Sequence, residues 1–276
     1  MIHEIAPHRL INGFRTDRKA EQGDKVFVFA GMTCLVKIED GNIILPTVSM
    51  LGAGEYIYLF AVDDTCYYRA APPVVKAPEG FEFMKIQDVR KSGAGPSYMM
   101  FALYTAYHID KWYKDSVYCG RCGSQTVHSE KERAMVCPVC GNTIYPRINP
   151  AVIVGIRNGD KILVTKYANR PNVPYYALVA GFAEIGETLE ETVAREVGEE
   201  VGLKVKNITY YKSQPWGTAA DMLAGFFCEV DGDDTIRMDD GELKIAKWVT
   251  ADEIELQPDD FSLTNEMMKA FKSRQQ

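Results

Sequence analysis

The clearest chemical pattern in the chain is a group of acidic residues in the segment GFAEIGETLEETVAREVGEEVGL, at positions 181–203. At 3.6 residues per helical turn, Glu196, Glu199 and Glu200 share one face of the helix that this segment predicts. Like charges at this spacing repel by about 0.2–0.5 kcal/mol per pair, and negative charge near a helix carboxyl end also opposes the helix dipole. Because this arrangement is unfavourable on a helix face that only contacts solvent, we expect the three carboxylates to hold a divalent cation.

The same segment carries the start and stop signals of a helix at about 188–201. Thr188 and Glu191 have the spacing of a capping box, and Gly202 suits a left-handed stop. Gly198, inside the helix, costs about 1 kcal/mol relative to alanine. Close packing is the one reason for this glycine that the sequence offers.

Oxygen ligands alone suit Mg²⁺ or Mn²⁺, which bridge to substrate phosphates. Arg195 and Glu187 are expected to pair and to hold the preceding turn against the helix. The chain has four histidines, none of them in this segment, and no Gly-x-Ser-x-Gly motif, so acyl transfer through a histidine has no support. The predicted chemistry is metal-assisted attack of water on phosphorus.

A second motif consists of two Cys-x-x-Cys pairs that are separated by fourteen residues: Cys119, Cys122, Cys137 and Cys140. Four thiolates close a tetrahedron around zinc and leave no position for water, so we expect a structural zinc ribbon without His128. Zinc ribbons can also bind nucleic acid. Residues 110–150 hold six Lys and Arg against four Asp and Glu, however, which is too small an excess for a surface that tracks phosphates.

The acidic segment resembles the Nudix box at every fixed position. Together with the zinc ribbon, the YPRINPAVIV link and the sequence Ser-Gln-Pro-Trp at 213–216, it makes residues 98–270 similar to the NADH pyrophosphatase (NAD diphosphatase) family. The resemblance implies a Nudix fold, a homodimer, and hydrolysis of NADH or NAD⁺ to nicotinamide mononucleotide and AMP.

The resemblance also implies the members of the site. Glu196, Glu199 and Glu200 would hold the Mg²⁺ or Mn²⁺ with Glu242 and the backbone carbonyl of Ala180. Tyr145, from the neighbouring subunit, and Phe182 would stack on substrate rings, although either could instead pack in a core. Further substrate contacts are expected at Glu132, Gln214, Pro215, Trp216, Gly217, Asp221 and Thr264.

The chain departs from the family pattern after Trp216. Gly217-Thr218-Ala219-Ala220-Asp221 stands where the family has an aromatic-bearing run, and Thr264 takes the place of a small residue. The missing aromatic residue removes a wall of the expected nucleotide pocket, and Asp221 adds negative charge there. These differences leave the preferred substrate open, while hydrolysis remains the expected reaction.

The predicted fold class is α+β, with three parts: a β-rich amino-terminal domain at 1–114, a zinc ribbon at 115–144, and a Nudix domain with a mixed sheet between helices at 145–276. Short apolar runs with turn signals such as Asp40-Gly41 indicate the first part. A helix is expected over 98–113 with Ser97 as its N-cap. A Pro- and Gly-rich loop is expected over 70–80.

Composition limits the partners and the location. The net charge of −7 disfavours anionic membranes and non-specific nucleic-acid binding. The longest apolar stretches are far below the roughly 18 to 20 residues of a membrane helix, and the amino terminus does not have the pattern of a secretory signal. Cys34, Cys66 and Cys228 are expected in cores. We therefore predict a cytoplasmic protein with reduced cysteines.

Three alternatives stay open at this point. The enzyme could act on another dinucleotide or a nucleotide sugar, or it could remove an NAD cap from RNA, which breaks the same bond. A catalytically idle binding module on the same fold is the third alternative, and the complete acidic motif argues against it.

Overall fold

The computed structural model describes residues 1–71, 77–169 and 173–273. Part of the predicted loop over 70–80 therefore lies outside the described residues. None of the helices in the described ranges has the length and apolar character needed to span a lipid bilayer.

The chain divides into two compact units. One, called here the amino-terminal unit, holds residues 4–147 and 217–219. The other, called here the carboxylate-helix unit, holds residues 1–3, 148–216 and 220–276. The predicted three-part division at 114/115 and 144/145 stays a prediction.

The amino-terminal unit is rich in short strands, as predicted. Its first eight are β1 (Leu10–Ile11), β2 (Lys25–Phe27), β3 (Phe29–Ala30), β4 (Thr33–Glu39), β5 (Asn42–Ile44), β6 (Tyr56–Val62), β7 (Thr65–Ala70) and β8 (Glu82–Lys85). They form two four-stranded sheets, one in the order β1-β6-β7-β2 and one in the order β3-β4-β5 with β8 paired to β4. The short helices α1 (Val48–Leu51) and α2 (Ile86–Lys91) follow β5 and β8.

The predicted Asp-Gly turn joins β4 to β5. Asp40 and Gly41 have positive φ values of 49° and 73°, and the flanking Glu39 and Asn42 are paired. Positive φ at both central residues is typical of the type I′ turn, whose twist matches that of the strands. The turn signal in the sequence therefore sets the register of this hairpin.

Helix α3 spans Ser97–Asp115. The prediction that Ser97 caps it is wrong, because Ser97 is already helical and Pro96 occupies the N-cap position. Within the described part of the chain, no side chain caps the helix. Proline fits at a helix start because its φ is fixed and its missing N–H would have no partner there.

A buried ion network joins α3 to β7. Arg69 Nε lies 2.8 Å from Asp110 Oδ1, with both side chains at most 5% exposed, and Lys114 Nζ lies 2.7 Å from the other carboxylate oxygen. Two cations around one buried carboxylate offset its desolvation. The predicted core positions of Cys34, Cys66 and Cys228 are confirmed, since all three are buried.

The carboxylate-helix unit is built on one mixed sheet. Its strands are β12 (Asn149–Asn158), β13 (Lys161–Tyr167), β14 (Val179–Phe182), β15 (Val205–Trp216), β16 (Asp221–Val230) and β17 (Leu243–Thr250). The amino-terminal unit holds the three short strands that precede them, β9 (Val127–His128), β10 (Met135–Val136) and β11 (Thr143–Ile144). The order is β15-β16-β12-β13-β17, with β14 paired to β12. Only β12 and β16 run parallel among these pairs. Pro215 is tolerated because β15 is an edge strand.

Two helices cover the two faces of this sheet. Helix α4 (Leu189–Val201) buries Val193, Val197 and Val201 against alternate residues of β12 such as Val152 and Val154. Helix α5 (Leu263–Ser273) buries Met267 and Phe271 on the other face, with Ile153 of β12 and Phe227 of β16. Successive side chains of each strand point to opposite faces of the sheet, so the same strands contribute to both cores. This architecture confirms the α+β fold class.

Two sequence expectations need correction here. The apolar run YYALVAGF at 175–182 predicts a strand, but β14 forms only from Val179, and Ala177 forms an isolated bridge to Thr165. Close packing does not explain Gly198, because a Cβ atom built there meets nothing within 4 Å among the described residues.

We therefore expect Gly198→Ala to stabilise the protein by up to about 1 kcal/mol, because alanine loses less backbone entropy in a helix. The measurement is the free energy of unfolding in urea. Gly202→Ala is the matched control and should destabilise, since Gly202 has φ 68° and its Cβ would lie 2.8 Å from Arg237 Cβ. A destabilised Gly198→Ala would restore the packing explanation.

Candidate active site

The four paired cysteines form one compact cluster in the amino-terminal unit. Their Sγ atoms all lie within 4.8 Å of one another, with 3.6 Å between Cys119 and Cys140 and 3.4 Å between Cys122 and Cys137. Sulfur atoms at about 2.3 Å from a tetrahedral zinc ion are about 3.8 Å apart. The cluster therefore fits zinc. His128 is exposed and lies beside Tyr113, 5.0 Å between ring centroids, so it stays outside the cluster as predicted.

Both cysteine pairs lie on the same kind of turn. Gly123 N–H donates to the Cys119 carbonyl at 2.8 Å, and Gly141 N–H donates to the Cys137 carbonyl at 3.0 Å. Both glycines have positive φ, 74° and 70°, which explains why glycine follows each pair. Strands β9 (Val127–His128), β10 (Met135–Val136) and β11 (Thr143–Ile144) form the small sheet that connects the two turns.

Hydrogen bonds favour the thiolate form of two of these cysteines, Cys119 and Cys122. Arg121 N–H lies 3.4 Å from Cys119 Sγ, and this contact lowers the pKa of Cys119. A hydrogen bond from Ser124 lowers the pKa of Cys122 to about 6. Donors that point at sulfur prepare the site for a cation, because the thiolate is the form that binds metal.

Helix α4, which carries the acidic residues, begins and ends as predicted. The Thr188 side chain accepts from Glu191 N–H at 3.2 Å, and Glu191 Oε2 accepts from Thr188 N–H at 2.8 Å. Gly202 closes the helix in the left-handed conformation. These caps fix the helix ends and therefore the direction of its acidic face.

Arg195 joins the acidic side chains to the preceding turn. Its Nε and Nη2 bind the two oxygens of Glu187 at 2.6 and 2.9 Å. Its Nη1 donates to Glu196 and Glu199 at 2.8 and 2.9 Å, and its Nη2 also donates to the Phe182 carbonyl at 2.8 Å. The bond from Arg195 is the main cause that lowers the pKa of Glu187 to about 2. The predicted pairing of Glu187 with Arg195 is thus present.

Glu196 lies against the backbone of Gly181, at the end of β14. A Cβ atom built on Gly181 would stand 1.9 Å from Cδ of Glu196, so no other residue fits there without displacing this carboxylate. The Glu196 residue is 9% exposed, and its burial raises its pKa. The first glycine of the motif thus makes room for the acid that follows fifteen positions later.

Glu200 is the most buried acid of the motif, with 2% of the residue exposed. Its Oε1 lies 3.3 Å from the hydroxyl of Tyr167, and the backbone of Ala180 also hydrogen-bonds this carboxylate. Its Oε2 is buried without a hydrogen-bond partner among the described residues. Burial, then the charges of Glu196 and Glu242, raise the pKa of Glu200 to about 8. A carboxylate placed in this way is stabilised by an added cation.

The residues present fit a hard divalent cation. The guanidinium of Arg195 binds three carboxylates, those of Glu187, Glu196 and Glu199. The charges of Glu196 and Glu242 act on a further carboxylate, that of Glu200. Oxygen-only donors and the unpartnered oxygen of Glu200 suit Mg²⁺ or Mn²⁺ better than a softer metal.

The two aromatic residues expected to stack on substrate are exposed. Phe182 is 56% exposed and Tyr145 is 57% exposed, so the alternative of core packing is wrong for both. The Tyr145 hydroxyl donates to Glu132 Oε1 at 3.0 Å, which brings two predicted substrate contacts together. The stacking itself stays a prediction.

Gln214 was predicted to contact substrate, but its side chain is enclosed by the protein. It is fully buried, its Nε2 donates to the Phe261 carbonyl at 2.6 Å, and its Oε1 accepts from Leu263 N–H at 2.7 Å. Both ends of its amide therefore bind backbone at the start of α5. This geometry favours a positioning role. Its neighbours Pro215 and Trp216 are half-buried in β15.

Some of the residues at which the chain departs from the family pattern are fixed by packing inside the fold. Gly217 is buried, and its Cβ would stand 2.1 Å from the Tyr104 carbonyl oxygen, so a side chain there is excluded by packing. Asp221 begins β16, is 8% exposed and lies 3.5 Å from Asn149 Nδ2. Thr264 lies half-buried in the first turn of α5.

Sequence reasoning missed Tyr167, whose hydroxyl touches Glu200. The run KILVTKY predicts a strand and no function. One signal was available: Leu163 packs in the core beneath α4, and the period of two places Tyr167 on the same face.

We expect the purified chain to contain about one zinc ion, because four thiolates provide a closed site. A mercurial reagent that binds thiols should release it, and a metallochromic dye measures the release. Cys122→Ser should lower the zinc content, while the buried Cys228→Ser, outside the cluster, should leave it unchanged. Full zinc content in Cys122→Ser would contradict the assignment.

Comparison with known proteins agrees with this geometry. Residues 147–271 match the NUDIX domain, and residues 114–145 match the NADH pyrophosphatase zinc ribbon domain. The chain is 41% identical over 150 residues to the NAD-capped RNA hydrolase NudC of Escherichia coli O9:H4 (strain HS), and equally to that of Shigella boydii serotype 18 (strain CDC 3083-94 / BS512). Each match covers 54% of this chain and 58% of the relative, so the chain spans little more than half the length of these curated relatives.

A solved structure shows the same fold. The crystal structure of a NUDIX hydrolase from Nitrosomonas europaea is similar with a TM-score of 0.50 and 22% identity, covering 57% of this chain and 92% of that one. Residues 147–271, which match the NUDIX domain, therefore have the fold of a solved NUDIX hydrolase, and the four cysteines lie within the segment that matches the NADH pyrophosphatase zinc ribbon domain.

Proposed function

We propose that this protein hydrolyses the diphosphate bond of NADH or NAD⁺ to nicotinamide mononucleotide and AMP, with Mg²⁺ or Mn²⁺ at the carboxylate helix. The observation that carries the proposal is the buried pair Glu196 and Glu200, in which Glu200 Oε2 has no hydrogen-bond partner among the described residues. The pair lies in a Nudix domain that follows a zinc ribbon of the NADH pyrophosphatase type along the chain.

Charge supports a metal-dependent reaction. The diphosphate bridge is anionic, and it would meet five carboxylates and one guanidinium that is already bound to three of them. When bound, a divalent cation neutralises this charge and activates a water molecule. Without such a cation, the site repels its substrate.

The side chains of the site have separate tasks in this proposal. Glu196, Glu199, Glu200, Glu242 and the carbonyl of Ala180 would hold the metal. Glu187 and Arg195 keep the turn and the helix together through their paired hydrogen bonds. Gly181 keeps the backbone close to Glu196.

Exposed aromatic residues would bind the two ring systems of a dinucleotide. Stacking on Phe182 and Tyr145 would contribute about 1–3 kcal/mol per ring. Tyr145 would reach the substrate from a neighbouring subunit of a homodimer, with Glu132 fixing its hydroxyl. A cytoplasmic location belongs to the same proposal, because the four thiols must stay reduced to hold zinc.

Removal of an NAD cap from RNA is the second candidate. It breaks the same bond, and the relatives similar to this chain are named NAD-capped RNA hydrolases. Action on another dinucleotide or a nucleotide sugar remains the third, because Gly217 and Asp221 replace the usual aromatic-bearing run.

We expect Glu200→Gln to lower kcat/KM for NADH by about 100-fold or more, because the site loses a charged metal ligand while the side chain keeps its shape. Chromatographic release of AMP in the presence of Mg²⁺ measures the rate. Glu190→Gln is the matched control, since Glu190 is exposed in the first turn of the same helix, and it should keep the wild-type rate.

The same assay across substrates separates the candidates. NADH should have the highest kcat/KM in a panel with ADP-ribose, FAD, diadenosine polyphosphates and an NAD-capped oligonucleotide. Preference for the capped oligonucleotide would favour cap removal, and preference for another dinucleotide would favour the third candidate. A full rate in Glu200→Gln, or no turnover of any substrate by the wild-type protein, would refute the proposed reaction.

A further inference from the structure

We propose that Tyr167 is a positioning residue for the divalent-metal site, acting through Glu200. The inference rests on the proposed function, because it concerns how the same site is prepared for its cation. Tyr167 is the last residue of β13, and its ring packs against the core beneath α4.

The hydroxyl of Tyr167 stands among three oxygen atoms at nearly equal distance. It lies 3.3 Å from Glu200 Oε1, 3.3 Å from the Leu178 carbonyl and 3.4 Å from the Ala180 carbonyl. Two of these oxygens belong to residues assigned to the metal. The contact is therefore directed at the ligands and is not a general packing contact.

A phenol has one proton, so only one of the three oxygens receives it. In its ionised form, Glu200 is the charged acceptor among the three and forms the strongest bond with the phenol. With the proton donated to Glu200, the Ala180 carbonyl receives nothing from the phenol and stays available to a cation.

This bond fixes how Glu200 faces the site. Its Oε1 is held by Tyr167, while its buried Oε2 is the oxygen without a partner among the described residues. A carboxylate anchored through one oxygen presents the other in a single direction. Partners that orient a metal ligand in this way commonly change metal affinity by about 10–100-fold when they are lost.

The end of β13 also reaches the fourth acid. The pairing of β13 with β17 shifts register between Lys166 and Tyr167, so that Tyr167 pairs with Leu243. The next residue, Ala168, donates its N–H to the Glu242 carbonyl at 2.8 Å. The irregular end of one strand thus contacts residues of three proposed ligands: Glu200, Ala180 and Glu242.

The test is Mn²⁺ binding by the full chain, followed by the electron paramagnetic resonance signal of free Mn²⁺. Tyr167→Phe keeps the ring and removes the hydroxyl, so it should raise the Mn²⁺ dissociation constant by about 10-fold or more. The Mn²⁺ concentration for half-maximal NADH hydrolysis should rise in parallel, while the KM for NADH stays unchanged.

Tyr211→Phe is the matched control. It removes another tyrosine–glutamate hydrogen bond of the same unit, 3.0 Å from Tyr211 to Glu266, on the face covered by α5. It should leave Mn²⁺ binding at the wild-type value. Urea unfolding of both variants without metal should give similar losses of stability.

The outcomes separate this inference from the proposed function. If the wild-type chain binds Mn²⁺ and Tyr167→Phe binds it equally well, the positioning role is overturned and the proposed function stands. If the wild-type chain binds no Mn²⁺, both are overturned. A weaker Mn²⁺ affinity that accompanies a much larger loss of stability than in Tyr211→Phe shows a structural role and also overturns the inference.

Discussion

Repulsion among carboxylates on one face of α4 is the constraint on which the site depends. Glu196 and Glu200 are buried side by side and the charge of Glu242 acts on both. The guanidinium of Arg195 donates to Glu196, while Glu200 Oε2 has no hydrogen-bond partner among the described residues. Such a cluster is costly in water and more costly when desolvated. The folded chain keeps this unfavourable electrostatic energy at one site, and binding of a cation there would offset it. In the proposed function, metal binding and recognition of an anionic diphosphate would be two consequences of the same charge distribution.

Several features of the fold keep that cluster in place. The capping box and the left-handed Gly202 fix the ends of α4, and its buried valines anchor it to the sheet. Gly181 leaves room for Glu196, and Arg195 ties the helix to the preceding turn. Ordering these groups lowers the conformational entropy of the chain. The packing contacts of the surrounding core offset this loss, and interactions among the acidic side chains do not.

Local signals in the sequence were enough to predict several features of the fold and of the candidate sites. The capping box, the Asp40-Gly41 turn and the Cys-x-x-Cys knuckles follow from chemistry within a few residues, and each is found in the structure. Long-range contacts were not accessible in the same way. The burial of Gln214 under α5, the backbone approach at Gly217 and the contact of Tyr167 with Glu200 join residues 33 or more positions apart. Ser97 failed as a cap because the proline before it already starts the helix.

The most direct test of the central claim is calorimetric binding of a non-cleavable NADH analogue, with and without Mg²⁺, to the full-length chain. If the carboxylates exist to hold a cation beside the diphosphate, the analogue binds with Mg²⁺ present and its affinity falls by orders of magnitude in a chelator. Equal affinity in both conditions, with no uptake of Mg²⁺, would contradict the account.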